Sequence, residues 1–241
     1  MATLAPLQKT RLHEGIVEQL QEKILSGQFR SGDKLPPERD LAESLDVNRS
    51  TLREAFKKLE MLDLVEIRHG DGVYVKDYLD SGSLELLPAL MRSGGSYDVT
   101  ILKGLLDLRR LILPDVAFQA ALNRTDGDLA EMERVIGDGS LTLNDRDMLL
   151  YRAIGRASRN IPFVIILNFF NNSGLVAELL TLYFADPFNL KRTTRFYGEI
   201  VDAIRERRPD KSKKIMYDLL VFAEDKTIRI LNEKMNKDGI R

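Results

Sequence analysis

The 241-residue chain has no cysteine. Disulfides, thiolate metal sites and cysteine nucleophiles are therefore excluded together, and a reducing, cytoplasmic location is expected. Histidine is almost as scarce: the chain's 2 histidines, His13 and His69, both fall near the N-terminus, so the rest of the chain cannot hold a metal through imidazoles. Net charge is also nearly lacking, with 36 Lys and Arg against 37 Asp and Glu. No global field then draws the molecule to nucleic acid or to an anionic membrane. Long apolar runs are missing too. The most apolar stretch, Ile161 to Phe170, is interrupted by Pro162 and Asn168 and is too short to span a bilayer. Gln8, Lys9, Arg11, His13 and Glu14 leave no room for the apolar core of a signal peptide, so a soluble protein with no membrane partner is expected. There is no G-x-S-x-G elbow, no P-loop and no dinucleotide-binding glycine run, which argues against an enzyme or a bound cofactor.

What is present divides into two kinds of sequence, and the length suits two domains. Leu12, Ile16, Leu20 and Ile24, with Val17 beside them, form a helical stripe that Ser26-Gly27 breaks. After the turn-rich SGQFRSGDKLPP, a short second helix carries Leu41, Ala42 and Leu45 inward and Glu38, Arg39, Asp40 and Glu43 outward. A tight turn at Asp46-Val47 leads to Asn48, a good N-cap, and a third helix with Leu52, Ala55, Phe56 and Leu59 on one side. Arg49 and Arg53 lie one turn apart on another face, with Ser50 and Thr51 near the helix start. Guanidinium forks so placed suit guanine O6 and N7 in a major groove, and short hydroxyls suit phosphates. Leu64 to Arg68 and Val73 to Lys76 are strand-like runs around the glycine-rich tip His69-Gly70-Asp71-Gly72. Helix, turn, helix and hairpin together predict a winged helix-turn-helix over residues 1–77.

Bulk charge opposes that prediction. Residues 1–78 hold 12 Lys and Arg against 14 Asp and Glu, so any affinity for DNA must come from local placement. An arginine pair at helical spacing is by itself more often a solvated face. The run PPERDLAESLDVNRSTLREAFKKLEMLDLVEIRHGDGVYV, however, closely resembles the N-terminal domain of GntR-family transcriptional regulators along its whole length without a gap. The resemblance implies DNA contacts from Arg39, Arg49 and Arg53, from the Asn48-Ser50-Thr51 helix start, and from His69 and Gly70 in the wing. Asp46 departs from the family's usual turn glycine, and Asp tolerates the left-handed backbone that this turn needs. Asp71 brings a negative charge into the wing.

A linker over 78–83 precedes a second, nearly all-helical domain over 84–241, an all-α bundle of about six or seven helices. Pro88 interrupts a short apolar helix from Leu84 to Met91. The helix from Val99 to Leu122 is apolar nearly all round and is expected to be buried; Ile161 to Leu182 reads as one helix. The segments LLDLRRLI, YRAIGRASRNIP and LYFADPFN resemble the FadR branch of the GntR family, whose bundle binds effectors. Most branch members hold a metal through three histidines. Here the matching positions read Tyr151, Tyr197 and, less directly, Leu219, so no metal is expected. The branch's namesake also lacks those histidines and binds long-chain acyl-CoA, and the YFADP and FY phrases at 183–187 and 196–197 match it.

The resemblance thus implies an effector site at Tyr151, Tyr197 and Leu219, an apolar one with hydroxyl tips; the aromatic cluster Phe163, Phe169 and Phe170 would add lining, and the last helix departs from the namesake, with Leu219, Leu220, Ala223 and Thr227 where the namesake has polar and aromatic ligand contacts. An apolar stripe at helical spacing is also simply what a core looks like. Arg109, in a leucine-rich helix, either meets an anionic ligand or pairs internally with Asp107 or Glu178. The expected protein is a homodimeric regulator, of repressor type, that binds a twofold-symmetric operator of double-stranded DNA. Its effector is either acyl-CoA-like or a small organic or sugar acid.

Overall fold

The computed structural model describes residues 9–93, 96–172 and 175–237. Its contacts divide the chain into two compact units, Met1–Asp98 and Val99–Arg241. In the first unit, α1 (Lys9–Leu25), α2 (Glu38–Ser44) and α3 (Arg49–Met61) precede an antiparallel hairpin of β1 (Val65–Arg68) and β2 (Gly72–Val75), paired in register from Val65–Val75 to Arg68–Gly72. Ile16, Val17, Leu20 and Ile24 of α1 meet Leu52, Ala55, Phe56 and Leu59 of α3 in one core, which Leu64, Val65, Val73 and Val75 close from the hairpin. Leu12, on the same stripe, stays exposed at the start of α1. Asp46 adopts φ +50°, so the turn between α2 and α3 keeps its left-handed residue without a glycine.

After the hairpin come α4 (Tyr78–Ser81), a 3-10 turn over Leu84–Leu86 and α5 (Leu87–Met91). Pro88 occupies an opening position of α5, where its missing N–H breaks no helical hydrogen bond. Leu86 is buried in the core of the first unit, and Tyr78 and Leu90 pack against it. Residues 84–98 therefore belong to the first compact unit rather than to the second, where sequence had placed the segment from 84 onward. Their leucines complete the first core.

The second unit comprises α6 (Val99–Asn123), α7 (Asp126–Gly137), α8 (Leu143–Ala157), α9 (Ile161–Asn172), α10 (Leu175–Phe184), α11 (Pro187–Arg205) and α12 (Pro209–Lys237). Caps define several starts. Thr125 and Asp128 form a reciprocal capping box at α7, the Thr142 side chain accepts from Asp145 N, and Asp186 accepts from Phe188 N ahead of Pro187, each satisfying amides that the helix leaves open. The expected single helix over 161–182 is thus two helices, α9 and α10. The alanine-rich face of α6 (Ala117, Ala120, Ala121) lets neighbouring helices approach, and Leu150, Ile154, Ile200, Ile204, Met216 and Leu220 fill the core around it. α6 runs along α12 and α8. It is not buried all round: Leu108 and Leu111 are exposed in this single chain, Leu111 at 72%, because helices cover only part of its apolar circumference.

Candidate functional site

Each unit carries a candidate site. In the first unit it begins at Asn48. Its Oδ1 accepts from Thr51 N at 2.8 Å, Thr51 Oγ1 at 2.9 Å and Ser50 Oγ at 2.6 Å, which fixes the first turn of α3. Thr51 is buried at 4% exposure, so its hydroxyl belongs to the cap. It does not stand at the surface as sequence had suggested. Ser50 and Arg49 are exposed on the same turn.

Arg53, one turn on, is 67% exposed. Its Nε donates to both carboxylate oxygens of Glu38, at 3.1 and 2.8 Å. The two terminal nitrogens of the guanidinium stay outside that contact, and these are the atoms that a bidentate grip on guanine uses. Glu38 is the residue that sequence reading missed here: it was read as one more outward charge in the first turn of α2. Arg39 makes local contacts with Asp40 and Glu43.

At the wing, His69 and Gly70 occupy the exposed tip, and Gly70 takes φ +77°, a backbone region that favours glycine. The charge of Asp71 is answered within the wing. Lys34 Nζ lies 2.6 Å from Asp71 Oδ1, and the Tyr74 hydroxyl donates to Oδ2 at 2.8 Å. The lysine first and the tyrosine second hold the Asp71 carboxyl below its ordinary range. The Arg68 guanidinium lies 4.2 Å from the centre of the Tyr74 ring.

The second unit encloses a cavity of about 330 Å³. Its walls are apolar: Leu102, Leu105, Leu106 and Leu113 from α6, Phe163 and Leu167 from α9, Leu179, Leu180 and Phe184 from α10, and Leu219, Leu220 and Ala223 from α12. Polar groups gather on Arg109, Asp147, Tyr151, Tyr183, Thr193 and Glu224. Four of the six ligand residues expected from sequence thus line one cavity: Arg109, Tyr151, Leu219 and Ala223. Tyr197 does not line it; its hydroxyl donates to Asp147 Oδ1, and Asp147 does line it. Phe169 is not among the described lining residues, whereas Phe163 is. The side chain of Phe170 lies outside the described residues.

Asp147 is the second residue that sequence reading missed. It is 6% exposed and lies four residues before Tyr151 on α8, a spacing that places both on one helix face. Burial pushes its carboxyl up, against the opposing pull of the Tyr197 hydrogen bond and the Arg109 charge. Burial, then the neighbouring Asp147, raises Tyr151 and Tyr197 as well, and burial pushes Tyr183 up to about 12. All three phenols are therefore protonated at neutral pH and act as neutral hydrogen-bonding groups. The Tyr183 hydroxyl is already engaged with Thr193 Oγ1 at 2.9 Å.

Arg109 lies 5.5 Å from the centre of the Tyr151 ring. The expected alternative of an Asp107–Arg109 pair is replaced by Asp107–Arg110, and Arg110 also lies 3.6 Å from Glu224. Arg109 has no carboxylate within ion-pair distance among the described residues. The donor set does not fit a first-row divalent metal. Leu219 offers no donor atom, and Tyr151 and Tyr197 keep their protons.

The chain matches two family models: "Bacterial regulatory proteins, gntR family" over residues 12–75 and "FCD domain" over residues 104–222. It is similar to the HTH-type transcriptional regulator Mce2R of Mycobacterium tuberculosis, at 30% identity over 95% of this chain and 96% of the relative. It is 37% identical to the HTH-type transcriptional regulator LutR of Bacillus subtilis, over 84% of this chain and 94% of that one. The fatty acid metabolism regulator protein of Pasteurella multocida matches at 28% over 80% of each chain. With a reading helix and wing in the first unit, a cavity in the second, and these matches along both, the chain belongs to the gntR family of bacterial regulatory proteins and carries an FCD domain after its DNA-binding domain.

Proposed function

We propose that this transcription regulator binds a twofold-symmetric operator as a homodimeric repressor and that an acyl-chain effector in the cavity of its second unit controls that binding. In this reading Arg49 and Arg53 read bases in the major groove, Arg39 and Ser50 contact phosphates, and His69 and Gly70 approach the minor groove. The observation that carries the effector reading is the cavity itself. Leucine and phenylalanine form most of its wall, which suits a hydrocarbon chain, and the few polar groups would fix one end of it. The kinship with a fatty acid metabolism regulator supports the same choice. An effector that favours one dimer geometry over another shifts operator affinity by its differential affinity for the two states.

A small organic acid is the second reading. It is favoured by Arg109, a partly buried cation that makes no ion pair within 4 Å among the described residues and lies beside the Tyr151 hydroxyl and the buried Asp147 carboxyl. Melting the protein with acyl-CoAs, free fatty acids and small hydroxy acids separates the two. A stabilisation that grows with acyl chain length supports the first, since each buried methylene adds about 0.8 kcal/mol. Stabilisation by small acids alone removes it.

A further inference from the structure

In the proposed binding mode the wing faces DNA, where an acid at its tip works against phosphate. Asp71 is such an acid, and what it does there follows from how the wing is held. β2 is paired along both edges. On one side runs β1. On the other, hydrogen bonds from Gly32 N to Val75 O, from Val75 N to Asp33 O and from Leu35 N to Val73 O, at 2.9, 2.9 and 2.8 Å, lay residues 32–35 beside it, with Lys34 opposite Tyr74. This third segment leads through Pro36 and Pro37 into α2, so the base of the wing is joined by backbone to the start of the helix that carries Glu38 and Arg39.

The tip lies beyond that support. The ladder between β1 and β2 ends at Arg68–Gly72, and His69, Gly70 and Asp71 project past it in a turn closed by the hydrogen bond from Asp71 N to Arg68 O at 3.1 Å. Side chains supply the remaining hold. Asp71 spends one carboxylate oxygen on Lys34, from the third segment, and the other on the Tyr74 hydroxyl, from β2. Lys34 reaches it by crossing Gly72: a Cβ at that position would lie 2.6 Å from Lys34 Cε, so the glycine leaves the path of the lysine open. Lys34 Nζ and the Arg68 guanidinium also lie over the Tyr74 ring, 5.5 and 4.2 Å from its centre.

We infer that Asp71 and Lys34 are a positioning pair for the wing tip, fixing His69 and Gly70 relative to the segment that enters α2. The inference rests on the proposal that His69 and Gly70 approach the minor groove and names what orients them there. A lysine beside the operator is tied to an acid instead of being left for phosphate. General attraction to DNA is thereby weakened, and the placement that distinguishes one groove from another is kept. The two side chains are 48% and 50% exposed, so the pair adds little to the stability of the fold, and variants without it stay folded.

Fluorescence anisotropy on the full chain tests this with two probes: a duplex that the wild-type protein selects from a random DNA pool, and a scrambled duplex of the same composition. The readout is the ratio of the two affinities. Lys34→Met, which keeps an apolar stem over Gly72, and Asp71→Ala change the net charge in opposite directions, and a charge change acting alone shifts both duplexes together and leaves their ratio as it was. The inference expects each variant to lower the ratio by about fivefold, the scale of one exposed charge pair, and the double variant to lower it no further, with melting temperatures near that of the wild type. A wild-type ratio in either single variant overturns it, as do losses that multiply in the double variant or a fall in melting temperature that accompanies them. His69→Ala separates the inference from the wing reading. If His69→Ala lowers the ratio and the pair variants do not, the inference falls and the wing reading stands. If the pair variants lower it and His69→Ala does not, the pair acts elsewhere than on the tip and the inference falls with the wing reading. Failure of the wild type to select any duplex overturns both.

Discussion

The two candidate sites use charge in opposite ways. In the DNA-binding unit the cations of the candidate site are at the surface with carboxylates beside them: Arg53 by Glu38 and Arg39 by Asp40, as Lys34 lies by Asp71 in the wing. Exposed pairs of this kind contribute little to stability, so their service is orientation. In the FCD unit the polar groups are few and buried, and burial is the first cause of every shift at Asp147, Tyr151, Tyr183 and Tyr197. The surface that the proposed function turns to phosphate keeps its charges in water. In the cavity, burial raises the Asp147 carboxyl and the phenols of Tyr151 and Tyr183, which favours their neutral forms.

The largest expected effect breaks one side of the comparison and leaves the other. Phe56 is 1% exposed at the junction of α1 and α3. Phe56→Ala should cost about 3–5 kcal/mol of stability, seen as an early transition of the first unit in chemical denaturation, with operator binding lost. Cavity ligands should still stabilise the second unit; their loss as well would mean that the two units do not fold independently. Next, Arg53→Ala should weaken specific operator binding by about 1–3 kcal/mol, read by fluorescence anisotropy. Glu38→Gln should give a smaller loss confined to the base pair that Arg53 reads, because a neutral amide holds Nε less firmly. Unchanged affinity for Arg53→Ala would remove this residue from the reading surface.

The smallest effect sharpens the cavity side. The Asp147 carboxyl is raised on folding, so its contribution to stability is present below the ordinary aspartate range and is lost as pH rises through its folded value. Relative to Asp147→Asn, which still accepts from Tyr197, the wild type should therefore lose stability as pH rises above about 4, the ordinary aspartate value. Melting curves across that range check it. Parallel trends for the two proteins would show that Asp147 ionises as easily in the fold as out of it.

The DNA-binding unit was the more legible because its site is local: α2, the turn, α3 and the hairpin follow within some forty residues, so spacing alone places Arg49, Arg53 and Gly70. Even there, what touches what was hidden. Thr51 reads as a free hydroxyl and is buried in the cap, and Glu38 reads as solvated and steadies Arg53 from fifteen positions away. The cavity draws on α6, α8, α9, α10, α11 and α12, and no spacing rule joins them. Tyr151 and Leu219 were reached through family resemblance. Asp147 was missed, although its four-residue offset from Tyr151 was visible. Phe169 was chosen for its aromaticity alone and is not among the described lining residues. The exposed leucines of α6 show the limit of composition: an apolar circumference states a demand for partners, and a single chain fills only part of it.

Asn48 carries a consequence for how long the protein keeps working. One amide oxygen there anchors three donors at the start of the reading helix, and an aspartate in its place would accept the same three. Slow hydrolysis of that amide during storage would therefore leave the helix capped and the fold intact. It would also set a fixed negative charge where the proposed function brings the phosphates of the operator. An aged preparation would melt like a fresh one and still fail to hold DNA.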